Sequence, residues 1–260
     1  MELYQSLRLK YSDIMIDRHP HSTISSCSRD CSMITLDIIG EVTSNCFYIM
    51  ENKRLLSISS SPTFREEKVK LLSILPSHLQ YCRIPNRWDQ TVKLHTTSSN
   101  ILGNSGRLQL DYDLEIPCSD ISHIEFYSAI LVQQGDIIQF DTDTELPICI
   151  VHIGKNYVER YIMMEAGGVY LEYHNRPHFH MPLNSMSSGY LILGKKVGDE
   201  IMLSAFRIPF EYGVYIPPNI IHNDLFLVGE YLVVYSKTEQ YSTVLLQNRF
   251  GKPIQVSIVV

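Results

Sequence analysis

The sequence lacks the usual features of nucleic-acid-binding, exported or membrane-spanning proteins. Its 260 residues carry a formal net charge of −6 and no dense run of lysine and arginine, whereas nucleic-acid binding usually needs a basic face. No apolar run approaches the ~20 residues that span a bilayer. The N-terminus has no basic region followed by an apolar core, so the usual export signal is not indicated. We therefore expect a cytoplasmic protein without nucleic-acid or membrane partners.

Cysteine is scarce and scattered, which argues against a zinc-finger framework. Only two of the six cysteines are close together, and a Cys-x-x-x-Cys spacing without a second pair is a poor zinc signature. An even number permits disulfides, but the scatter without an export signal predicts reduced thiols. The six are Cys27, Cys31, Cys46, Cys82, Cys118 and Cys149.

The composition favours strands over helices. The chain has 16 tyrosines and 9 phenylalanines but one tryptophan, and isoleucine and valine are plentiful while alanine is scarce. In the first 120 residues we predict strands at 33–42 and 46–60, joined by a hairpin turn at 43–45. The one predicted helix is at 64–81, where Glu66 and Glu67 fall in the first turn and leucines recur with helical spacing.

From residue 108 onward the chain reads as short strands at regular intervals, separated by turns that contain glycine. That pattern is typical of a sandwich or barrel. We therefore predict a mainly β protein with two regions: residues 1–120, mostly β with one helix, and residues 121–260, a β-barrel.

Histidines in the last third of the chain form the most informative motif. His178 and His180 are two residues apart, so on one strand their side chains would point the same way. His222 ends a Pro-Pro-Asn-Ile-Ile-His run and would complete one face of a coordination sphere from a neighbouring strand. Neutral imidazole is a common ligand of transition metals. We predict His178, His180 and His222 as metal ligands, with a metal-free pocket as the alternative.

These two stretches resemble the cupin family. His178-Phe179-His180 resembles the family's His-x-His strand motif, and the run from Pro217 to His222 resembles its Pro-x-Gly-x-x-His motif, with Asn219 in place of glycine. The resemblance covers about 70 residues and implies a cupin-like barrel or jelly roll in the C-terminal half. A short echo between 134–138 and 197–201 leaves a degenerate bicupin open.

One departure concerns the acidic ligand. The family usually has a glutamate four or five residues after the second histidine, where this chain has Asn184 and Ser185. The expected site is therefore three neutral histidines, with either the amide oxygen of Asn184 or water as a further ligand. The open positions of such a site would suit a divalent transition metal such as Fe, Zn, Mn or Ni. His174 is predicted to lie at the pocket rim, because Pro177 should bend the chain beyond it.

Groups near this motif supply candidates for chemistry. Glu172, Tyr190 and Tyr215 are candidate catalytic groups, with Glu172 the best acid–base candidate if it is desolvated. Arg176 and Arg207 could hold a substrate anion in a fork-like pair; solvent-facing side chains are the alternative for both arginines and for Glu172.

Three functions remain open on sequence alone. The first is a metalloenzyme, of oxygenase or isomerase/lyase type, acting on a small anionic molecule. The second is a non-catalytic module that binds a small ligand, and the third is a protein-interaction module on the same scaffold. A homodimer is the candidate assembly. Fold class does not choose among these, because one barrel serves many functions.

Overall fold

The computed structural model describes residues 2–21, 29–44, 46–58, 75–94, 105–235, 238 and 240–260. The fold is mainly β and jelly-roll-like, with curled sheets, as the composition predicted. Within the described ranges, no helix is both long and apolar enough to cross a bilayer.

The described elements are one α-helix, two short helical segments and twenty-one strands. The helix α1 spans Glu2–Lys10, a 3₁₀ segment spans Ile121–Tyr127 and a π-helical turn spans Val158–Ile162. The strands are β1 (Asp17–Arg18), β2 (Met33–Val42), β3 (Phe47–Glu51), β4 (Arg54–Ile58), β5 (Cys82–Pro85), β6 (Trp88–Leu94), β7 (Ser105–Gln109), β8 (Leu114–Ser119), β9 (Ile130–Gln133), β10 (Ile137–Gln139), β11 (Leu146–Ile153), β12 (Tyr170–His174), β13 (His178–Pro182), β14 (Ser188–Gly189), β15 (Leu191–Val197), β16 (Glu200–Phe206), β17 (Tyr212–Ile216), β18 (Ile221–Asn223), β19 (Leu227–Val234), β20 (Tyr241–Gln247) and β21 (Val256–Val259).

Two large sheets carry most of these strands. Sheet 1 runs in the order β1-β2-β11-β19-β13-β17-β9, with β14 also pairing β19. Sheet 2 runs in the order β21-β8-β16-β15-β18-β12-β20-β7-β6, with β5 also pairing β16. A small sheet has the order β10-β3-β4. Most pairs are antiparallel, as expected for a jelly roll.

Strands from the first 120 residues enter both large sheets. β2 pairs β11 along its length in sheet 1, and β7 and β8 join sheet 2 beside β20 and β16. The predicted boundary at residue 120 therefore does not coincide with a boundary between sheets. This pairing also gives no support to a duplicated barrel, and both the domain division and the bicupin stay predictions.

The N-terminal predictions had mixed outcomes. The strand at 33–42 is confirmed by β2, but it pairs β11, whereas β3 forms its hairpin with β4. The predicted helix at 64–81 falls mostly on residues 59–74, which lie outside the described residues; residues 75–81 form a turn and irregular chain. Helix α1 was not predicted from the sequence.

Side chains alternate along β13 between two hydrophobic clusters. Phe179 and Met181 belong to a cluster with Phe140 and Val132 on the outer face of sheet 1. His178 and His180, at the alternate positions, face the larger cluster between the sheets. That inner cluster combines Val233 of sheet 1 with sheet 2 residues such as Leu193. The histidine pair therefore points into the barrel, as its spacing predicted.

The cysteines depart from the expected reduced state at one position. Cys31 is disulfide-bonded, whereas Cys46, Cys82, Cys118 and Cys149 are free. The expectation of reduced thiols is therefore wrong for Cys31 and confirmed for these four.

Candidate metal centre

Four buried side chains converge at one end of the space between the sheets. Glu172, His174, His178 and His222 each offer one ligand atom, and these atoms all lie within 4.8 Å of one another. All four residues are buried, with 2–7% of their surface exposed. A group of one carboxylate and three imidazoles at this separation could hold a metal ion.

The four side chains come from three strands in two sheets. Glu172 and His174 lie two residues apart on β12, so they share a face. Residue 172 is directly opposite His222 of β18 in the antiparallel register of sheet 2. His178 starts β13 in sheet 1, so the group connects the two sheets. The cluster depends on how the sheets face each other and not only on local sequence.

Backbone carbonyls orient two of the imidazoles. Nδ1 of His178 lies 3.1 Å from the carbonyl oxygen of Val234, and Nδ1 of His222 lies 2.8 Å from that of Ile220. A carbonyl oxygen only accepts, so in each case Nδ1 carries the hydrogen and donates it. In both rings this makes Nε2 the nitrogen that would bind a metal once it is unprotonated, which is the arrangement found around metal-bound histidines.

Glu172 and His222 form the charged pair of the group. Oε1 of Glu172 lies 3.5 Å from Nε2 of His222, and the Thr243 hydroxyl donates to Oε2 at 3.4 Å. Burial disfavours both charges, but the mutual attraction outweighs it: the pKa of Glu172 is lowered and that of His222 is raised. Among the described residues, Nε2 of His222 has no hydrogen-bond partner, since 3.5 Å is an ion-pair distance rather than a good hydrogen bond.

The other two imidazoles are neutral at physiological pH. Burial, followed by the charge of His222, lowers the pKa of His174 to about 4. Burial and the neighbouring histidines lower the pKa of His178 well below its usual value. A ligand nitrogen must be unprotonated, so two of the three imidazoles already have the form that binds a metal. With one anionic oxygen and three ring nitrogens, the donor set fits a divalent transition metal.

The group fits a cupin-like metal site in which the acidic residue comes first in the chain. Glu172 and His174 occupy a residue-x-residue pair on one strand, and His178 follows four residues later, where the family usually has its glutamate. Asn219, in place of the motif's glycine, has φ of 66°, which asparagine tolerates. The prediction was three neutral histidines without a carboxylate, whereas the group contains Glu172 and three histidines. The Glu-x-His alternation on β12 was the local pattern that could have identified Glu172.

His180 lies outside the group, contrary to the expected convergence of His178, His180 and His222. Its ring is stacked on that of His178 with centroids 5.6 Å apart, but it is fully buried and, among the described residues, neither ring nitrogen has a hydrogen-bond partner. His174 takes its place in the group: its ring lies against that of His178, with centroids 4.6 Å apart, where the chain passes from sheet 2 to sheet 1. Which atoms bind a metal stays a prediction.

Neither predicted catalytic tyrosine lines the site. Tyr215 pairs Phe179 across β17 and β13, so it faces the outer cluster on the other side of the sheet from His178. Its hydroxyl accepts from the Asp141 amide at 3.1 Å. Tyr190 is half-buried and packs against the edge of the inner cluster. Both tyrosines therefore lie away from the four ligand side chains.

The predicted substrate-binding residues also have other partners. Arg176 forms an ion pair with Asp143. Arg207 lines a separate surface pocket with Asp120. Oδ1 of Asn184 accepts from the backbone amides of Met186 and Ser187, each at 3.0 Å, and closes a turn. Of the three, only Arg176 contacts the metal group, through a hydrogen bond between its backbone and His174.

A cavity of about 120 Å³ opens beside the metal group. Glu172, His174 and His178 form part of its wall. The rest includes residues that sequence reasoning missed, because they come from distant segments: Asp13, Ile14, Ile16, Arg18, Met33, Tyr170, Asp224, Tyr235, Thr238 and Tyr241. The N-terminal segment thus covers one side of the site.

Three of these cavity residues have buried polar groups. Arg18 is 3% exposed, and its Nη1 reaches the Tyr157 hydroxyl at 3.5 Å. Burial and the charge of Glu172 raise the pKa of Asp224 to about 6. Tyr235 places its ring against that of His178, with centroids 5.7 Å apart. A cation, a carboxyl group and a hydroxyl therefore surround the space in front of the ligand group.

Comparisons with known proteins do not assign this chain to a family. No protein-family model matches the chain, and no curated protein matches it significantly.

Proposed function

We propose that this chain is a cupin-like protein that binds a divalent metal and acts on a small anionic molecule. The observation that carries the proposal is the buried group of Glu172, His174, His178 and His222, whose ligand atoms lie within 4.8 Å of one another. The Glu-x-His pair, the following histidine and the Pro-Pro-Asn-Ile-Ile-His run support the cupin assignment.

The donor set supports a metal of the Fe, Zn, Mn or Ni class. Three imidazole nitrogens and one carboxylate oxygen suit these ions better than magnesium or calcium, which prefer all-oxygen sites. When bound, such an ion would polarise a substrate oxygen or lower the pKa of a bound water. Glu172 and His222 would hold it from sheet 2 and His178 from sheet 1, so metal binding would also cross-link the sheets.

The size and charge of the cavity support a small anionic substrate. A volume of about 120 Å³ is below the roughly 300–1,000 Å³ of pockets for drug-sized ligands. Arg18 adds a buried positive charge to that of a metal. Asp224, at the cavity wall, is placed to accept or hold a proton of the substrate. A carboxyl group there favours proton transfer, as in an isomerase or lyase, over an oxygenase that needs only the metal.

A non-catalytic binding module remains the alternative. The observation that favours it is the cover formed by Asp13, Ile14 and Ile16 over the cavity, since a covered pocket retains a ligand but slows turnover. A protein-interaction module is the remaining form of this alternative. We also propose that the protein is cytoplasmic, forms a homodimer and has no nucleic-acid or membrane partners. The net charge of −6 supports the lack of nucleic-acid binding.

Metal content tests the proposal directly. Protein purified without a histidine tag should contain close to one transition-metal ion per chain by elemental analysis. His174→Ala and His222→Ala should lose it, whereas the matched control His180→Ala should retain it, because His180 is outside the group. A metal-free wild type, or loss in the control but not in His174→Ala, would contradict the assignment.

Reaction type can be separated on the metal-loaded protein. Small carboxylic acids incubated with it in D₂O would exchange C–H hydrogens by NMR if the site transfers protons. Oxygen consumption in an electrode cell would instead identify an oxygenase. Ligand binding with neither reaction would favour the non-catalytic module.

A further inference from the structure

Two buried hydrogen-bond donors at the cavity wall lack acceptors. Nε of Arg18 and the hydroxyl of Tyr235 have no hydrogen-bond partner among the described residues, and each atom is shielded from solvent. Arg18 is 3% exposed and Tyr235 is 3% exposed. Buried donors are nearly always paired, so two that line one cavity indicate that something else supplies the acceptors.

The guanidinium of Arg18 also has no ion-pair contact among the described residues. Within the described ranges, no carboxylate oxygen lies within the 4.0 Å of an ion pair. Its Nη1 lies 3.5 Å from the Tyr157 hydroxyl, and the carboxyl groups of Glu172 and Asp224 act on it only over a longer distance. A buried unpaired cation is costly. Arg18 and Tyr235 line the same cavity of about 120 Å³, so a single anionic group in it could reach both.

We propose that Arg18 and Tyr235 bind a carboxylate group of the ligand, beside the metal centre. This inference rests on the proposed function for the metal end of the ligand. A carboxylate offers two oxygens, one for the planar guanidinium and one for the hydroxyl. The cavity of about 120 Å³ leaves room for a short carbon chain between the carboxylate and the metal.

Negative groups in the cavity oppose an anion but do not outweigh the positive ones. Glu172 and Asp224 are the buried carboxyl groups at the wall, and Asp13 is exposed at its edge. Glu172 would be neutralised as a metal ligand. The two charges of a divalent ion and that of Arg18 then exceed the negative charges of Glu172 and Asp224, so an anion is attracted.

Acetate binding measured by NMR titration tests the subsite, with acetamide as the uncharged probe of the same shape. Zinc-loaded wild type should bind acetate and not acetamide. Arg18→Met should weaken acetate binding about 10–100-fold and Tyr235→Phe about 3–10-fold, as expected for a charged and an ordinary hydrogen bond. Arg18→Lys should recover part of the loss, because charge returns without the planar fork.

Tyr231→Phe is the matched control. The Tyr231 hydroxyl donates to the Ser188 carbonyl at 2.7 Å and does not line the cavity, so this variant should lose thermal stability and keep acetate affinity. Tyr235→Phe should show the opposite, because its hydroxyl has no hydrogen-bond partner to lose among the described residues. This contrast keeps the test valid even where an Arg18 variant does not fold.

The experiment distinguishes failure of the proposed function, of the subsite and of the carboxylate assignment. A wild type that binds no zinc would overturn the proposed function. The subsite would then be judged by comparing acetate affinity between metal-free wild type and metal-free Arg18→Met, since both lack the charge of the ion. Acetate affinity unchanged in Tyr235→Phe and in the Arg18 variants would overturn the subsite. Inorganic phosphate that binds more tightly than acetate and is lost in Arg18→Met would overturn the carboxylate assignment.

Discussion

Replacing His180 with leucine should make the metal-free protein more stable. His180 is fully buried and, among the described residues, neither ring nitrogen has a hydrogen-bond partner. Each unsatisfied buried group costs about 1–3 kcal/mol, and leucine has nearly the volume of histidine, so repacking should cost less than about 1.5 kcal/mol. We expect a net gain of about 1–3 kcal/mol at pH 7, or roughly 3–8 °C in Tm for a chain of this size.

The gain should grow as the pH falls. Burial, followed by the charge of His222, lowers the pKa of His180 from its ordinary value of 6.5 to about 3. Between these values the unfolded chain binds a proton that the folded protein excludes, so His180 destabilises the fold progressively as the pH drops below 6.5. At pH 5 this adds about 2 kcal/mol to the advantage of leucine.

Urea denaturation in the presence of a chelator, at pH 7 and at pH 5, measures the stability gain and its growth at low pH. Elemental analysis measures metal retention. His178→Leu is the matched control: it removes the bond to the Val234 carbonyl and a proposed ligand, so it should lose metal. The reasoning is refuted if His180→Leu is less stable than wild type at both pH values, or if it loses the metal that His178→Leu keeps.

Two further predictions concern packing and protons. Gly213→Ala should destabilise the fold by about 3 kcal/mol or more, because its Cβ would meet Phe179 Cζ at 2.2 Å. Denaturant titration measures this loss. An unchanged midpoint would contradict the close contact between residues 213 and 179. Bound metal should be lost as the pH falls from about 7 to 4. The raised pKa of His222 and the lowered pKa of Glu172 predict that protons displace the ion first at His222 and only later at Glu172. Equilibrium dialysis at stepped pH measures this loss. Full retention of the metal at pH 4 would count against these ligands.

Local pattern was sufficient for much of the architecture. Strand composition and regular turns predicted a mainly β jelly-roll-like fold, and alternation along β13 placed His178 and His180 toward the interior, because the two-residue period of a strand is a local property. The Pro-Pro-Asn-Ile-Ile-His run correctly placed His222 near His178.

Tertiary structure decided which side chains share the site. The sequence places Glu172 and His174 on one strand face, but only the pairing of β12 with β18 and the approach of β13 from sheet 1 bring them to His178 and His222. Arg18 lies 154 residues before Glu172 in the numbering, and it reaches the cavity because β1 is the edge strand of sheet 1. Such long-range contacts cannot be read from local patterns in a single sequence, because they depend on how the two sheets pack.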